Sequence, residues 1–343
     1  MRLPLRVLTH NIRYATSSPF PNEKPWTDRF PHIVNQLMYH TRLSNGRNTG
    51  HVIDAENSDF GHDTAAASFI SLQEVLHGQL NDILSSLNDI PRSEYPGTLP
   101  DGPFWAHIGV AREDGKKKGE YSPILYPVRI FNLLYFENIW LSPAPQKPSK
   151  GWDAGSERIL TTGVFEHKAS KQRIAVFNTH LDNAGSEARA KSIGIILNSI
   201  EQIRTKWAPK YGTGSRQPSS GCHKLNYILT GDFNSFPTQE AYMAIAASDT
   251  MVDTHEAIPE FHRYGDEITF TGFQPDTDVD KDEIGRIDFV FLGPKESVSG
   301  QRQIPQSETA WQIEGYTVLP NVGDDGVFSS DHRAVVADAM LRL

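Results

Sequence analysis

Six short stretches, Leu5 to Asn11, Phe69 to Glu74, Arg173 to Leu181, Asn226 to Asp232, Ile287 to Leu292 and His332 to Met340, are either fully apolar or alternate with period two. Both patterns predict β-strands. Helical spacing appears instead in Phe30, Ile33, Val34, Leu37 and Met38, in Leu76, Leu80, Ile83, Leu84 and Leu87, and in Ile193, Ile196, Leu197, Ile200 and Ile203. These predict amphipathic helices covering a sheet, the first capped by Thr27 or Asp28 and the third by Ser186. A fourth helix, capped by Thr238, is expected to run through Ala241 and Ile245. Segments rich in Gly, Pro, Ser, Asn or charge at Thr41 to Asp63, Pro143 to Gly155 and Pro209 to Lys224 read as surface loops. The alternation predicts a layered helix, sheet, sheet, helix α/β architecture in one domain spanning 1–343.

The polar residues that interrupt this pattern sit at strand ends. Asn11, Gln73-Glu74, Asn178-Thr-His180 and Asp232 close the first four strands, whereas Asp288 and the pair Asp331-His332 open theirs. If neighbouring strands run in opposite directions, these ends and beginnings meet at one rim. Carboxylates dispersed through a core would be costly unless paired or bound to a metal, so a single shared polar site is the expected arrangement.

Composition narrows the chemistry. Hydrophobic content of 38% and charged content of 22% describe an ordinary globular chain, and no apolar run approaches the roughly 18 residues that a membrane span requires. The first strand begins almost at once, which leaves no room for a secretory leader and makes a cytoplasmic location the expectation. The single cysteine, Cys222, excludes an intrachain disulfide and a cysteine zinc cluster. A net charge of −9 disfavours a broad cationic footprint for long nucleic acid. Oligomeric state is not set by these features.

Asn11, Glu74 and Asp331 offer hard oxygen atoms, which suit Mg²⁺, or Mn²⁺, better than zinc. Taken singly, Glu74 also fits a helix N-terminal carboxylate and Asn11 a turn residue. Asp232 and Asn234 share a tight Gly-Asp-Phe-Asn turn, placing an acceptor for a water proton beside a group able to orient that water or a phosphoryl oxygen; an Asx turn is the plainer alternative. His180 and His332 can donate to phosphoryl oxygens or carry a proton near neutral pH, although any of 13 histidines can be structural. Asp288 would fix the His332 tautomer, or else pair with Arg286. The chain contains no phosphate-binding loop, nucleophile elbow, zinc-protease helix or dinucleotide fingerprint, so water is the natural nucleophile.

In order, Asn11, Gln73-Glu74, Asn178-Thr-His180, Gly231-Asp232-Phe-Asn234, Arg286-Ile-Asp288 and Ser330-Asp331-His332 resemble the motifs of the endonuclease/exonuclease/phosphatase superfamily, the DNase I-like fold. The resemblance spans residues 5 to 341. It implies a four-layered α/β sandwich of two mixed β-sheets flanked by helices. It further implies Glu74 as the main Mg²⁺ ligand helped by Asn11 and Asp331, Asp232 as activator of water, and Asn234 and His180 at the phosphate. His332, braced by Asp288, would stabilise charge or move a proton. The segment Gly119-Glu-Tyr-Ser-Pro-Ile-Leu-Tyr126 with Lys150-Gly-Trp-Asp153 is similar to an uncharacterised microbial branch, in which Tyr121, Ser122, Arg158 and Trp152, with Asn178, would line the substrate pocket. For Trp152, loop packing is an equal alternative.

The expected activity is metal-dependent hydrolysis of a small or carbohydrate-linked phosphomonoester or phosphodiester, with a small phosphorylated substrate as the partner. A DNA or RNA nuclease, including a deadenylase-like activity, is the alternative, and a basic groove on Lys116, Lys117, Lys118, Arg129 and Lys147 would favour it. A noncatalytic binding scaffold ranks last.

Overall fold

The computed structural model describes residues 2–41, 67–89, 102–208, 225–274, 284–299 and 310–342. Two of the expected loops therefore fall almost wholly outside the described residues, as does Cys222.

The six expected strands all form. They are β1 (Arg2–Asn11), β2 (Ala67–Gln73), β7 (Arg173–His180), β8 (Asn226–Asp232), β11 (Asp288–Gly293) and β14 (Val335–Arg342). Four further strands were not predicted: β3 (Trp105–Ile108), β4 (Ile124–Pro127), β5 (Phe131–Trp140) and β6 (Ile159–His167). Nor were β9 (Val252–Asp253), β10 (Arg263–Gly265), β12 (Val298–Ser299) and β13 (Trp311–Val318). Strand β5 escaped detection because its middle is half-exposed and it is interrupted by a register shift between Leu133 and Tyr135, which breaks strict alternation.

One sheet has the order β10-β13-β14-β1-β2-β4-β3, with β12 added against β13, and the other runs β5-β6-β7-β8-β11-β9. Both are mixed. β1 is parallel to β2 and antiparallel to β14, while β7 is parallel to β8, which is antiparallel to β11. The parallel pairs require crossover helices, supplied by α1 (Trp26–Thr41) and α3 (Ser186–Trp207). Helices α2 (His77–Asn88), α4 (Glu240–Ser248) and the short α5 (Thr254–Ala257) complete the chain. Among the described residues no helix is long and apolar enough to cross a membrane.

Period-two alternation sorts the strand side chains into separate cores. Val7, Phe69, Val176, Ile228 and Val290 point between the sheets. Their neighbours Leu8 and Ile70 face α1 and α2, while Phe177, Leu229 and Phe289 face α3 and α4. Because both faces are covered, the central strands read as continuous apolar runs. The result is a four-layered α/β sandwich.

The predicted helix starts need revision. In α1, Asp28 and Arg29 amides donate to the Pro25 carbonyl at 3.0 and 3.2 Å, so Thr27 and Asp28 lie inside the first turn. Gly185 precedes α3, and the Asp153 carboxylate, from the Pro143–Gly155 loop, accepts from the Glu187 and Ala188 amides at 3.2 and 2.7 Å. A carboxylate at a helix N-terminus satisfies otherwise orphaned amides and opposes the positive dipole end. Helix α4 begins after Gln239, leaving Thr238 outside it.

Candidate active site

Strand register carries the polar groups to one rim. Asn11 is opposite Gln73, His180 opposite Asp232, and Asp232 opposite Asp288, so the carboxyl ends of two parallel pairs meet the start of β11. Gly231 permits the closeness: a Cβ there would stand 2.2 Å from the Thr179 carbonyl oxygen. Asp331 and His332 differ from expectation in that they lie in the turn before β14, where His332 bridges to Phe270.

Asp232 Oδ2 is the point of convergence. The Asn11 amide donates to it at 2.9 Å, with His180 Nε2 at 3.4 Å and His332 Nε2 at 3.7 Å. Its other oxygen accepts from the Asn234 backbone amide at 2.8 Å. The Asx turn and the site are thus the same feature: the turn holds Asn234 in a left-handed conformation, φ +46°, and lets its side-chain nitrogen donate to His180 Nε2 at 3.0 Å and to the Leu181 carbonyl at 3.0 Å. Burial raises the Asp232 carboxyl, as does Asp288, against the opposing pull of His332, His180 and Asn11.

His332 Nδ1 donates to Asp288 Oδ2 at 2.9 Å. Arg286 is instead paired with Asp253 and Glu256, which resolves the two partners open to Asp288. Burial opposes charge on His332, but the carboxylates of Asp288, Asp232 and Asp331 outweigh it and push the imidazole up to about 10. His180 behaves oppositely. Burial, reinforced by Arg158 and Arg112 against Asp232 and Glu74, drops it to about 3, so it is neutral at pH 7. Its Nδ1 finds no hydrogen-bond partner among the described residues, with Glu120 Oε2 at 3.7 Å. One histidine is a fixed cation and the other a neutral ring beside the same aspartate.

Glu74 closes the rim on the other side. It too is left-handed, φ +57°, and its carboxylate accepts from Asn11 Nδ2 at 3.1 Å and from the Tyr14 amide at 3.3 Å. Burial and the facing charge of Glu74 lift Asp331 to about 6, against His332, Arg13 and Ser330. The negative charge of Glu74 thus disfavours ionisation of Asp331. Asn11 Oδ1 accepts from the Arg13 amide at 3.0 Å, and its Nδ2 donates to Glu74 and Asp232, which fixes the side chain between the two carboxylates. Asp232, Asp288 and His332 also offer ligand atoms within 4.8 Å of one another, so this buried group could hold a metal ion.

The expected pocket residues divide. Arg158 joins the site's electrostatics while donating to Asp182 at 3.1 Å and Asn183 at 2.9 Å, with Nη1 finding no hydrogen-bond partner among the described residues. Asn178 does not line a cleft. It is fully buried, donates to the Leu72 and Pro123 carbonyls and accepts from Gln73 at 2.7 Å, which uses its amide to tie the two sheets together. Tyr121 is also a strut, its ring in the core under α2 and its hydroxyl donating to the Lys116 carbonyl at 2.8 Å. Ser122 is buried beside it. Trp152 packs at the flank of α3, 5.4 Å from Lys191. The run Lys116 to Lys118 wraps its amides around the Asp114 carboxylate, as a solvated turn does.

Arg13, Arg112 and Glu120 are near the site but were not singled out from sequence. Glu120 stands within the quoted Gly119–Tyr126 segment, and its pairing with Arg112 at 2.7 Å is visible only in three dimensions.

No protein-family model matches the chain. Among solved structures, an endonuclease/exonuclease/phosphatase family protein from Bacteroides thetaiotaomicron is 25% identical, with a TM-score of 0.71 over all of both chains. A mannosyl-6-phosphatase from the same species is 27% identical, with a TM-score of 0.68 over 98% of this chain and 99% of that one. A CCR4-Not complex 3'-5'-exoribonuclease subunit, Ccr4, of Candida albicans is 31% identical over 88 residues, which span 25% of this chain and only 10% of that protein. With its two mixed sheets and the rim they build, the chain belongs to the endonuclease/exonuclease/phosphatase superfamily, the DNase I-like fold. The relatives support a hydrolase of phosphoesters.

Proposed function

We propose that the protein is a Mg²⁺-dependent hydrolase of a small or carbohydrate-linked phosphomonoester or phosphodiester. The observation that carries this reading is the opposed setting of His180 and His332 around Asp232 Oδ2, with Glu74 and Asp331 alongside. Glu74 and Asp331 would hold the cation. The Asp232, Asp288 and His332 group is less suited, because the protonated His332 already supplies its positive charge. When bound, the cation would supply Lewis-acid stabilisation of a phosphoryl oxygen.

The remaining chemistry belongs to the side chains. Asp232, its basicity raised by burial, accepts the proton of the attacking water. His332 presents a protonated Nε2 to charge developing on phosphoryl or leaving-group oxygen, and Asp288 fixes its orientation through Nδ1. Asn234 holds the neutral His180 ring in place beside Asp232 Oδ2. The resemblance to a mannosyl-6-phosphatase and the net charge of −9 favour a compact phosphorylated sugar. The short match to an exoribonuclease favours a nuclease instead.

Turnover of a panel of sugar phosphates, nucleotides, phosphodiesters and short RNA or DNA, with Mg²⁺ and with EDTA, tests the reading. Mg²⁺-dependent release of phosphate from a sugar phosphate supports it. Cleavage confined to RNA or DNA, with binding that falls steeply as salt rises, would establish the nuclease. Equal turnover in EDTA would remove the metal.

A further inference from the structure

The Glu74 carboxylate is addressed by a cationic side chain that the proposed chemistry does not use. Arg13 lies two residues beyond Asn11 in a left-handed turn, φ +55°, and its Nη1 stands 3.6 Å from Glu74 Oε2. That is an ion pair held open, since charge-assisted N–H to carboxylate bonds close to about 2.7–2.9 Å when nothing restrains them. The restraint is visible. Glu23, its side chain 2% exposed, accepts from Arg13 Nε at 3.2 Å and from Nη2 at 3.4 Å. The guanidinium is also confined by the Tyr14 and Phe20 rings, whose centroids lie 4.2 and 4.7 Å away. Phe20 is itself 55% exposed, so this wall of the clamp is reached from solvent. Its backbone amide donates to Glu23 Oε2 at 2.9 Å, so clamp and counter-ion form one unit.

We propose that Glu23 is a positioning residue that holds Arg13 at arm's length from Glu74, so that Arg13 orients the carboxylate without occupying the lone pairs a divalent cation needs. This rests on Glu74 being a metal ligand, as in the function proposed above. Without Glu23, the guanidinium is free to close on Glu74 as a bidentate pair and compete with the cation. Arg13 is then an orienting group in the native protein and a competitor of the cation when Glu23 is removed.

Calorimetric titration of Mg²⁺ into the whole protein tests this without substrate. Glu23→Gln should raise the Mg²⁺ Kd about tenfold or more, the range seen when outer partners of metal ligands are lost. Adding Arg13→Met to that variant should bring the Kd back towards the wild-type value. A merely structural role for Glu23 would leave the double variant as weak as the single one or weaker, and that result, or an unchanged Kd in Glu23→Gln, overturns the proposal. Should Glu23→Gln fail to fold, Phe20→Ala opens the same clamp from its exposed side. It should weaken Mg²⁺ binding in the same direction, with rescue again by Arg13→Met, and an unchanged Kd there also overturns the proposal. Failure of the wild-type protein to bind Mg²⁺ would instead sink the functional reading together with this inference.

Discussion

Asp288 and His332 lie 44 positions apart in the chain, yet a 2.9 Å hydrogen bond joins Oδ2 of one to Nδ1 of the other, with both side chains buried. The bond directs the opposite ring nitrogen towards Asp232, 3.7 Å away. Asp288→Asn keeps the shape but removes the anion. The expected result is a fall in kcat of about a hundredfold or more with little change in KM. The pH profile gives a second readout. His332, held protonated up to about 10, stays cationic through neutral pH in the native protein. In the variant the imidazole loses its main stabilising charge, so the alkaline limb should move down towards neutrality.

Asp331 predicts how cation binding responds to acid. Its carboxyl, raised to about 6, must lose its proton to act as a ligand, so proton and cation compete. Apparent Mg²⁺ affinity should therefore weaken as pH falls through about 6. Titrations at several pH values check this, and Asp331→Asn should weaken binding and flatten the dependence.

His10 makes a separate prediction about stability. It is fully buried, and burial chiefly lowers its pKa to about 3, against a single contact with the His332 carbonyl at 3.3 Å. The unfolded chain, with an ordinary histidine, binds a proton more readily between about 6.5 and 3 than the folded one. Stability is thus fully present above pH 6.5 and declines as pH falls through that window. Chemical denaturation across pH should show the decline, and its slope should be shallower by about one proton in His10→Asn.

Phe69 tests the interface between the sheets. Its ring stacks on Phe131 at 4.7 Å and meets Phe165 at 4.9 Å, all three fully buried. Phe69→Ala should cost about 3–5 kcal/mol by lost transfer energy and a residual cavity. Urea unfolding measures it. A loss below 1 kcal/mol would mean that the layers are held together elsewhere.

Hydrophobic periodicity alone determined the six central strands, the four main helices and their layering, because strand and helix faces must be buried and that requirement is written locally. Strand β5 lay beyond its reach, since half-exposed positions and a bulge erase the signal. Helix starts were equally hidden: the partner of the α3 amides is Asp153, more than thirty positions upstream.

The site shows the same division. Residue type and position at strand ends marked Glu74, Asp232, Asp288 and His332 as candidates, but chemistry at such a site is decided by neighbours that only the tertiary structure brings together. Asn178 and Tyr121 carry suitable side chains and spend their hydrogen bonds on the core. His180 and His332 are the same residue type with displacements of opposite sign: burial lowers both, Arg158 and Arg112 add to it at His180, and the carboxylates of Asp288, Asp232 and Asp331 outweigh it at His332. Burial and electric field are properties of the assembled fold, and no local pattern encodes them.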